Sequence, residues 1–208
     1  MGLTASIGFL DSMRGDPDAQ ASLRERFIAV NDVLRAAGLP EHEEPAELPP
    51  YPYRSELDSI GWDWLHCLRR LHALVLQGIE PTPAPEDYPP RELDPLLDRE
   101  LTVYQRSHLI VHSDAQGWYV PIDFPDVLYG DVPGRIMGSS QRLLAELRTL
   151  AGPLEIALRP DGSLDDATVA RLNAVTDSDP WWREKFAWLH LFEAAWLSVD
   201  LGTAIRYH

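Results

Sequence analysis

Apolar residues recur at helical spacing early in the chain, where Leu23, Phe27, Val30 and Leu34 fall on one face. Asp16 can cap this helix with Pro17 in its first position, and Gly38 ends it. A second helix is predicted from Asp58 or Ser59 to about Gly78. Its apolar members Trp64, Leu65, Leu68, Leu71, Val75 and Leu76 make a stripe wide enough to be central and buried. The period changes after residue 104. His108-Leu109-Ile110-Val111-His112 and Trp118-Tyr119-Val120-Pro121-Ile122 flank Ser113-Asp114-Ala115-Gln116-Gly117, a pattern that predicts a β-hairpin with Gly117 at positive φ. Pro121 has no N–H for the ladder, so the second strand lies at an edge or stops there. Ser139 or Ser140 then caps a helix with Leu143, Leu144, Leu147 and Leu150 inward. Residues 154–158 read as a strand, and Ser163 with Asp166 reads as a capping box for a helix to Val175. A last helix is expected from Asp179 to about Asp200, stopped by Gly202, with a terminal strand over 203–207.

Two proline-rich connections, 40–53 and 81–95, separate the early elements, and a short helical turn is expected over 96–101. The order is not a regular βαβ series. It predicts one α+β domain over 1–208, with about five helices around a small, mostly antiparallel sheet. An acidic, proline-rich helical part (1–103) precedes the hairpin-containing part (104–208). A chain of 208 residues can bury roughly 70% of its unfolded surface, so the core requires no metal or disulfide.

Charge adds a constraint that the pattern does not. The 33 acids exceed the 18 bases, for a net charge of −15, and residues 41–100 hold 14 of the acids against 5 bases. A protein that neutralises phosphates shows the opposite balance, so no nucleic-acid partner is expected. Lys185 is the only lysine, an arginine bias that reads as GC-rich bacterial codon usage. Cys67 is the only cysteine and excludes an intramolecular disulfide. With no basic leader and no apolar run near the ~18 residues of a membrane span, the expected compartment is the cytoplasm, without membrane contact.

Candidate chemistry gathers at the predicted hairpin. On a strand His108 and His112 would share a face, Asp114 would sit in the turn, and Asp123 would close the second strand. These residue types suit a metal or a His–Asp acid/base pair. The structural reading is that Asp114 makes an Asx-type turn, His112 bonds locally, and His108 is half exposed. Ser139, Ser140 and Arg142 begin a helix whose free N–H groups could hold an anion, although capping by Ser139 explains them as well. His66 could face the hairpin. It cannot pair with its neighbour Cys67, because adjacent helical residues point about 100° apart, and Cys67 reads as core. The last helix carries Trp181, Trp182, Phe186, Trp188, Phe192 and Trp196, which either pack the core or form a patch for a partner or a second copy. No catalytic motif is complete, so no catalytic residue, cofactor or metal is assigned.

His42 with Glu44-Pro45, the stretches 66–70 and 108–124, and Gly138-Ser139-Ser140 through Leu144 followed by Glu146 together resemble a family of uncharacterised bacterial proteins. The resemblance implies a self-contained cytosolic domain and transfers no activity or cofactor. It favours His66, His112, Asp114, Asp123 and Ser139 as site candidates. Three readings follow. The first is a non-catalytic protein-binding module of immunity or accessory type, whose acidic 41–100 surface engages a basic protein, with a homo-oligomer possible through the aromatic helix. The second is a small-molecule or metal-assisted enzyme centred on His112, and the third is an acidic mimic of a nucleic acid.

Overall fold

A computed structural model describes residues 2–88 and 94–208, which leaves Pro89 and Pro90 of the second connection outside the described residues. Five long helices are α2 (Pro17–Ala36), α3 (Trp62–Leu76), α6 (Ser140–Ala151), α7 (Asp166–Asn173) and α8 (Trp182–Leu201). Three short ones are α1 (Phe9–Ser12), α4 (Pro95–Arg99) and α5 (His108–Val111), and a π-helical turn, Glu100–Tyr104, follows α4. The strands are β1 (Gly2–Leu3), β2 (Ala5–Ser6), β3 (Ile60–Gly61), β4 (Gly117–Val120), β5 (Leu128–Tyr129), β6 (Ile136–Ser139) and β7 (Ile205–Tyr207). A five-stranded sheet has the order β2-β7-β4-β6-β5, and only the β4–β6 pair is parallel. The protein is therefore an α+β domain with a mostly antiparallel sheet.

Side chains alternate across β4 and divide the core. Trp118 and Val120 meet Phe9, Phe27, Val30 and Leu34 of the α1–α2 layer, whereas Tyr119 faces the layer built from α3, α6 and α8. Helix ends follow the expected chemistry in part. Asp16 accepts from the Ala19 N–H at 3.0 Å with Pro17 at the first position, and Ser139 accepts from the Arg142 N–H. α3 starts at Trp62 because Ile60 and Gly61 pair with β1 instead. α7 is capped by Asp165, since the Ser163 hydroxyl donates to Asp161 at 2.7 Å. α8 starts at Trp182, while Asp179 accepts from the Trp181 N–H and pairs with Lys185.

Two predicted strands are corrected. Residues 154–158 form none, because the N–H groups of Leu154 and Ile156 bond the last carbonyls of α6, Leu150 O and Ala151 O. The hairpin is also absent. Residues 108–111 form α5, and β4 pairs with β7 and β6.

A buried clamp holds α5. Glu146 from α6 accepts from the His108 and Leu109 N–H groups at 2.7 and 2.8 Å, and from the Ser107 hydroxyl at 2.9 Å. Arg69 from α3 donates to Leu109 O at 2.8 Å and His112 O at 2.7 Å at the other end. A carboxylate thus meets the positive end of the helix and a guanidinium the negative end. Tyr119 fastens the helix to the sheet by donating to His108 O at 2.8 Å.

Arg69→Met should cost about 2–6 kcal/mol, because it strands the buried Leu109 and His112 carbonyls at about 1–3 kcal/mol each. Urea unfolding measures this, and a loss below about 1 kcal/mol would refute the clamp. Gly138 packs so tightly that an added Cβ would lie 2.3 Å from Tyr119 Cδ1, whereas at the helical Gly152 nothing lies within 4 Å. Gly138→Ala should therefore lose about 1–3 kcal/mol. Gly152→Ala should gain up to about 1 kcal/mol in the same assay.

Candidate functional site

The seven candidate residues do not converge. His66, half-buried on α3, lies 3.1 Å from Asp114, whose carboxylate is 3.9 Å from Arg69 Nη1. Asp123 and Arg142 form an exposed ion pair, with contacts of 2.6 and 3.1 Å. Ser140 is buried and accepts from the Ser198 hydroxyl at 2.7 Å. Ser139 is also buried, and its N–H donates to His108 Nδ1 at 2.9 Å. At the helix start expected to hold an anion, Ser139 Oγ accepts from the Arg142 N–H at 3.3 Å.

The histidines serve the fold. Because His108 Nδ1 accepts a proton bond, its Nε2 carries the hydrogen and donates to Pro125 O at 3.2 Å. His108 is buried, not half exposed. His112 stacks on Tyr119 with ring centroids 4.1 Å apart, and its nitrogens lie 3.0 and 3.1 Å from Ser113 O and Trp118 O. Burial outweighs both carbonyls and holds its pKa near 4. His72 donates from Nδ1 to Ser107, which itself donates to Glu146. Burial lowers His72 to about 4 and pushes Glu146 up to about 7 against its three hydrogen bonds. Among the described residues no group of three or more His, Cys, Asp or Glu side chains is placed to hold a metal. Cys67 is buried, with its pKa raised to about 12 by burial, and is no nucleophile.

Sequence reasoning passed over several buried polar anchors. Glu44 bonds His42 at 2.7 Å, Thr203, and the Ala204 N–H at 2.8 Å. Arg54 forks onto Glu193 at 2.7 and 2.9 Å and tethers the first connection to α8. Arg69 was detectable as a cation set in the apolar stripe of α3. Two of the α8 aromatics are committed inward: Trp188 and Phe192 are fully buried, and Trp188 donates to Leu147 O at 2.7 Å. Trp181, Trp182, Phe186 and Trp196 are half-buried, with Trp182 and Phe186 packed against Trp64 of α3.

The surface carries the electrostatic signal. Glu43, Glu56, Asp58, Asp63, Glu80, Glu86 and Asp87 are exposed, and none forms an ion pair with a described residue. No arginine among the described residues of 41–88 is exposed; Arg54, Arg69 and Arg70 are drawn inward. Elsewhere acids and arginines are interleaved, as in Asp11–Arg14, Asp32–Arg35 and Asp123–Arg142. Cavities of about 610, 480, 380 and 210 Å³ open on the surface. None is lined by any of the seven candidates.

Acid should destabilise the fold. His72, His112 and His190 are each held near 4 by burial, below their ordinary 6.5, so the unfolded chain takes up protons first as pH falls. Their contribution is present above pH 6.5 and is lost toward pH 4. Glu146 opposes them: its raised pKa means the folded state keeps a proton that the unfolded state releases between about 4.5 and 7. Three groups outweigh one, so Tm should fall between pH 7 and pH 5, and more steeply in Glu146→Gln. Calorimetric Tm values that are flat or rising would contradict this assignment.

No helix among the described residues is long and apolar enough to cross a membrane. No curated protein and no solved structure matches the chain. Residues 1–207 match the model of a family described as "Putative DNA-mimic protein". This match overturns the leading expectation of an immunity or accessory module that binds a basic protein in a role other than mimicry, and it favours the third reading. Since the match extends over nearly all of its length, the chain belongs to this DNA-mimic family.

Proposed function

We propose that this protein occupies the nucleic-acid-binding face of a DNA-binding protein in place of duplex DNA. The observation that carries the reading is the set of seven surface carboxylates between Glu43 and Asp87 that have no ion pair with a described residue, in a chain that matches the model of a family described as "Putative DNA-mimic protein". Duplex DNA presents one negative charge per about 1.7 Å of axis, and proteins that bind it contribute arrays of Arg and Lys. A protein competes for such arrays when its carboxylates are exposed, free of internal counter-ions and fixed in position. Glu56, Asp58 and Asp63 are fixed by Arg54–Glu193 on one side and by the start of α3 on the other. Glu86 and Asp87 follow a segment pinned to α8, where the Ala84 N–H donates to Glu184 at 2.9 Å and Arg183 donates to Ala84 O and Pro85 O.

The test is displacement. Proteins retained from a bacterial lysate by the immobilised chain are purified, bound to a labelled duplex, and titrated with the free chain. The chain should release the duplex, with an effect that weakens as salt rises. The variant Asp63→Asn/Glu80→Gln/Glu86→Gln/Asp87→Asn should need at least about fourfold more protein, at about 0.2–1 kcal/mol per surface charge. Retained proteins that bind duplex and chain together, or that do not distinguish the variant, would overturn the proposal.

A further inference from the structure

Of the four cavities, one differs in its charge. The 610 Å³ cavity is lined by Arg24, the 480 Å³ cavity by Arg54 and Arg159, and the 210 Å³ cavity by Arg148. The 380 Å³ cavity between β2 and the connection at 51–58 has no basic lining residue. Its polar lining includes Ser6, Tyr51, Tyr53, Ser55, Asp58 and His190. This volume lies within the range that holds a small ligand or one long side chain.

Most polar groups here are already committed. Ser6 bonds His208 at 2.8 Å. Tyr53 donates to His190 O at 2.8 Å, and the two His190 nitrogens lie 3.3 Å from the Tyr53 hydroxyl and the Ala5 N–H. His190 therefore has no nitrogen free to take a proton from Ser55, so the Ser, His and Asp present do not form a nucleophilic triad. Burial keeps His190 neutral at pH 7, so it does not repel a cation. Two groups stand apart. Ser55 is only 8% exposed, and its Oγ has no hydrogen-bond partner among the described residues, an arrangement that costs stability unless a ligand completes it. Asp58 is exposed at the rim without an ion pair to any described residue. A carboxylate, a hydroxyl and two tyrosines without a competing arginine suit a cation.

We propose that this cavity receives a basic side chain, lysine or arginine, from the DNA-binding partner; the proposal rests on the mimicry reading. In duplex DNA such a side chain would meet phosphate. Here Asp58 takes the phosphate's place, Ser55 accepts a second hydrogen bond, and the tyrosines flank the alkyl stem or guanidinium plane.

Nα-acetyl-lysine methylamide, its arginine analogue and its uncharged norleucine analogue serve as probes in amide NMR titrations. Saturable shifts at Ser6, Ser55 and Asp58 are expected with lysine or arginine, at least tenfold tighter than with norleucine. Asp58 is exposed, so Asp58→Asn should fold as wild type and bind the cationic probes about tenfold more weakly. Equal binding of norleucine, an unaffected Asp58→Asn, or no shift at these amides would overturn the assignment. In the duplex-displacement assay Asp58→Asn should be at least about fivefold weaker than wild type. If wild type and Asp58→Asn displace equally well, mimicry stands and the pocket falls. If wild type displaces nothing, mimicry falls and the occupant proposed here falls with it.

Discussion

The structure depends on a four-residue helix gripped at both ends by charges from two different helices. α5 is too short to be stable by itself, because closing one turn fixes several dihedral angles for a single hydrogen bond. Glu146 and Arg69 remove that difficulty by binding its unsatisfied N–H groups and carbonyls within the core. In doing so they set the spacing between α3 and α6. Tyr119 and His108 extend the same network into β4 and the start of α6. Sheet and helical layer are therefore joined by a buried polar framework as well as by apolar packing. Such a framework resists rearrangement, because moving any one member leaves the others buried without partners.

This framework also explains what was legible in the sequence. Four of the five long helices carry amphipathic stripes that face the core as their spacing implied, from Leu23–Leu34 in α2 to Leu143–Leu150 in α6, whereas α8 is buried on all sides along Ala187–Ala195. Caps were legible where they were local, as at Asp16 and Ser139. The run at 108–112 was not, since a short apolar run with two β-branched residues fits a buried strand or a buried helix equally well. Its state is fixed by Arg69 and Glu146, each nearly 40 residues away. The candidate site failed for the same reason. His108, His112, Ser139 and Ser140 are the kinds of residue that do chemistry, yet here long-range partners use up their hydrogen-bonding capacity. Asp114 and His66 do meet, but without the remaining members.

Charge shows a comparable division. Several carboxylates are structural: Glu44 and Glu146 hold backbone N–H groups, and Glu193 holds Arg54. Some arginines also serve the main chain. Arg54, Arg69, Arg70, Arg106 and Arg183 all donate to main-chain carbonyls, and Arg70 and Arg183 in this way tie down the proline-rich segment at 82–85. A proline-rich connection lacks N–H groups and exposes carbonyls, so arginine is well suited to anchor it. Over 41–88 the three arginines are turned onto main-chain carbonyls or the buried Glu193, and seven surface carboxylates there have no ion-pair partner among the described residues. The net charge of −15 therefore understates how acidic the 43–87 surface is.

This arrangement bears on how a globular protein could stand in for a polyanion. DNA carries its charges on a stiff, regular backbone, whereas free carboxylate side chains repel one another and a flexible loop would spread them apart. Stability against that repulsion must come from elsewhere in the fold. Here Arg70 and Arg183 contribute by anchoring the segment at 82–85 through its main-chain carbonyls, which leaves Glu86 and Asp87 without ion pairs to described residues. The 380 Å³ cavity is consistent with the same division of labour, since Arg54, between the lining residues Tyr53 and Ser55, turns to Glu193 and no arginine lines the recess. A polyanion presents charge without concavity. A protein that replaces it can add a shaped recess, and so can distinguish among partners that all bind DNA.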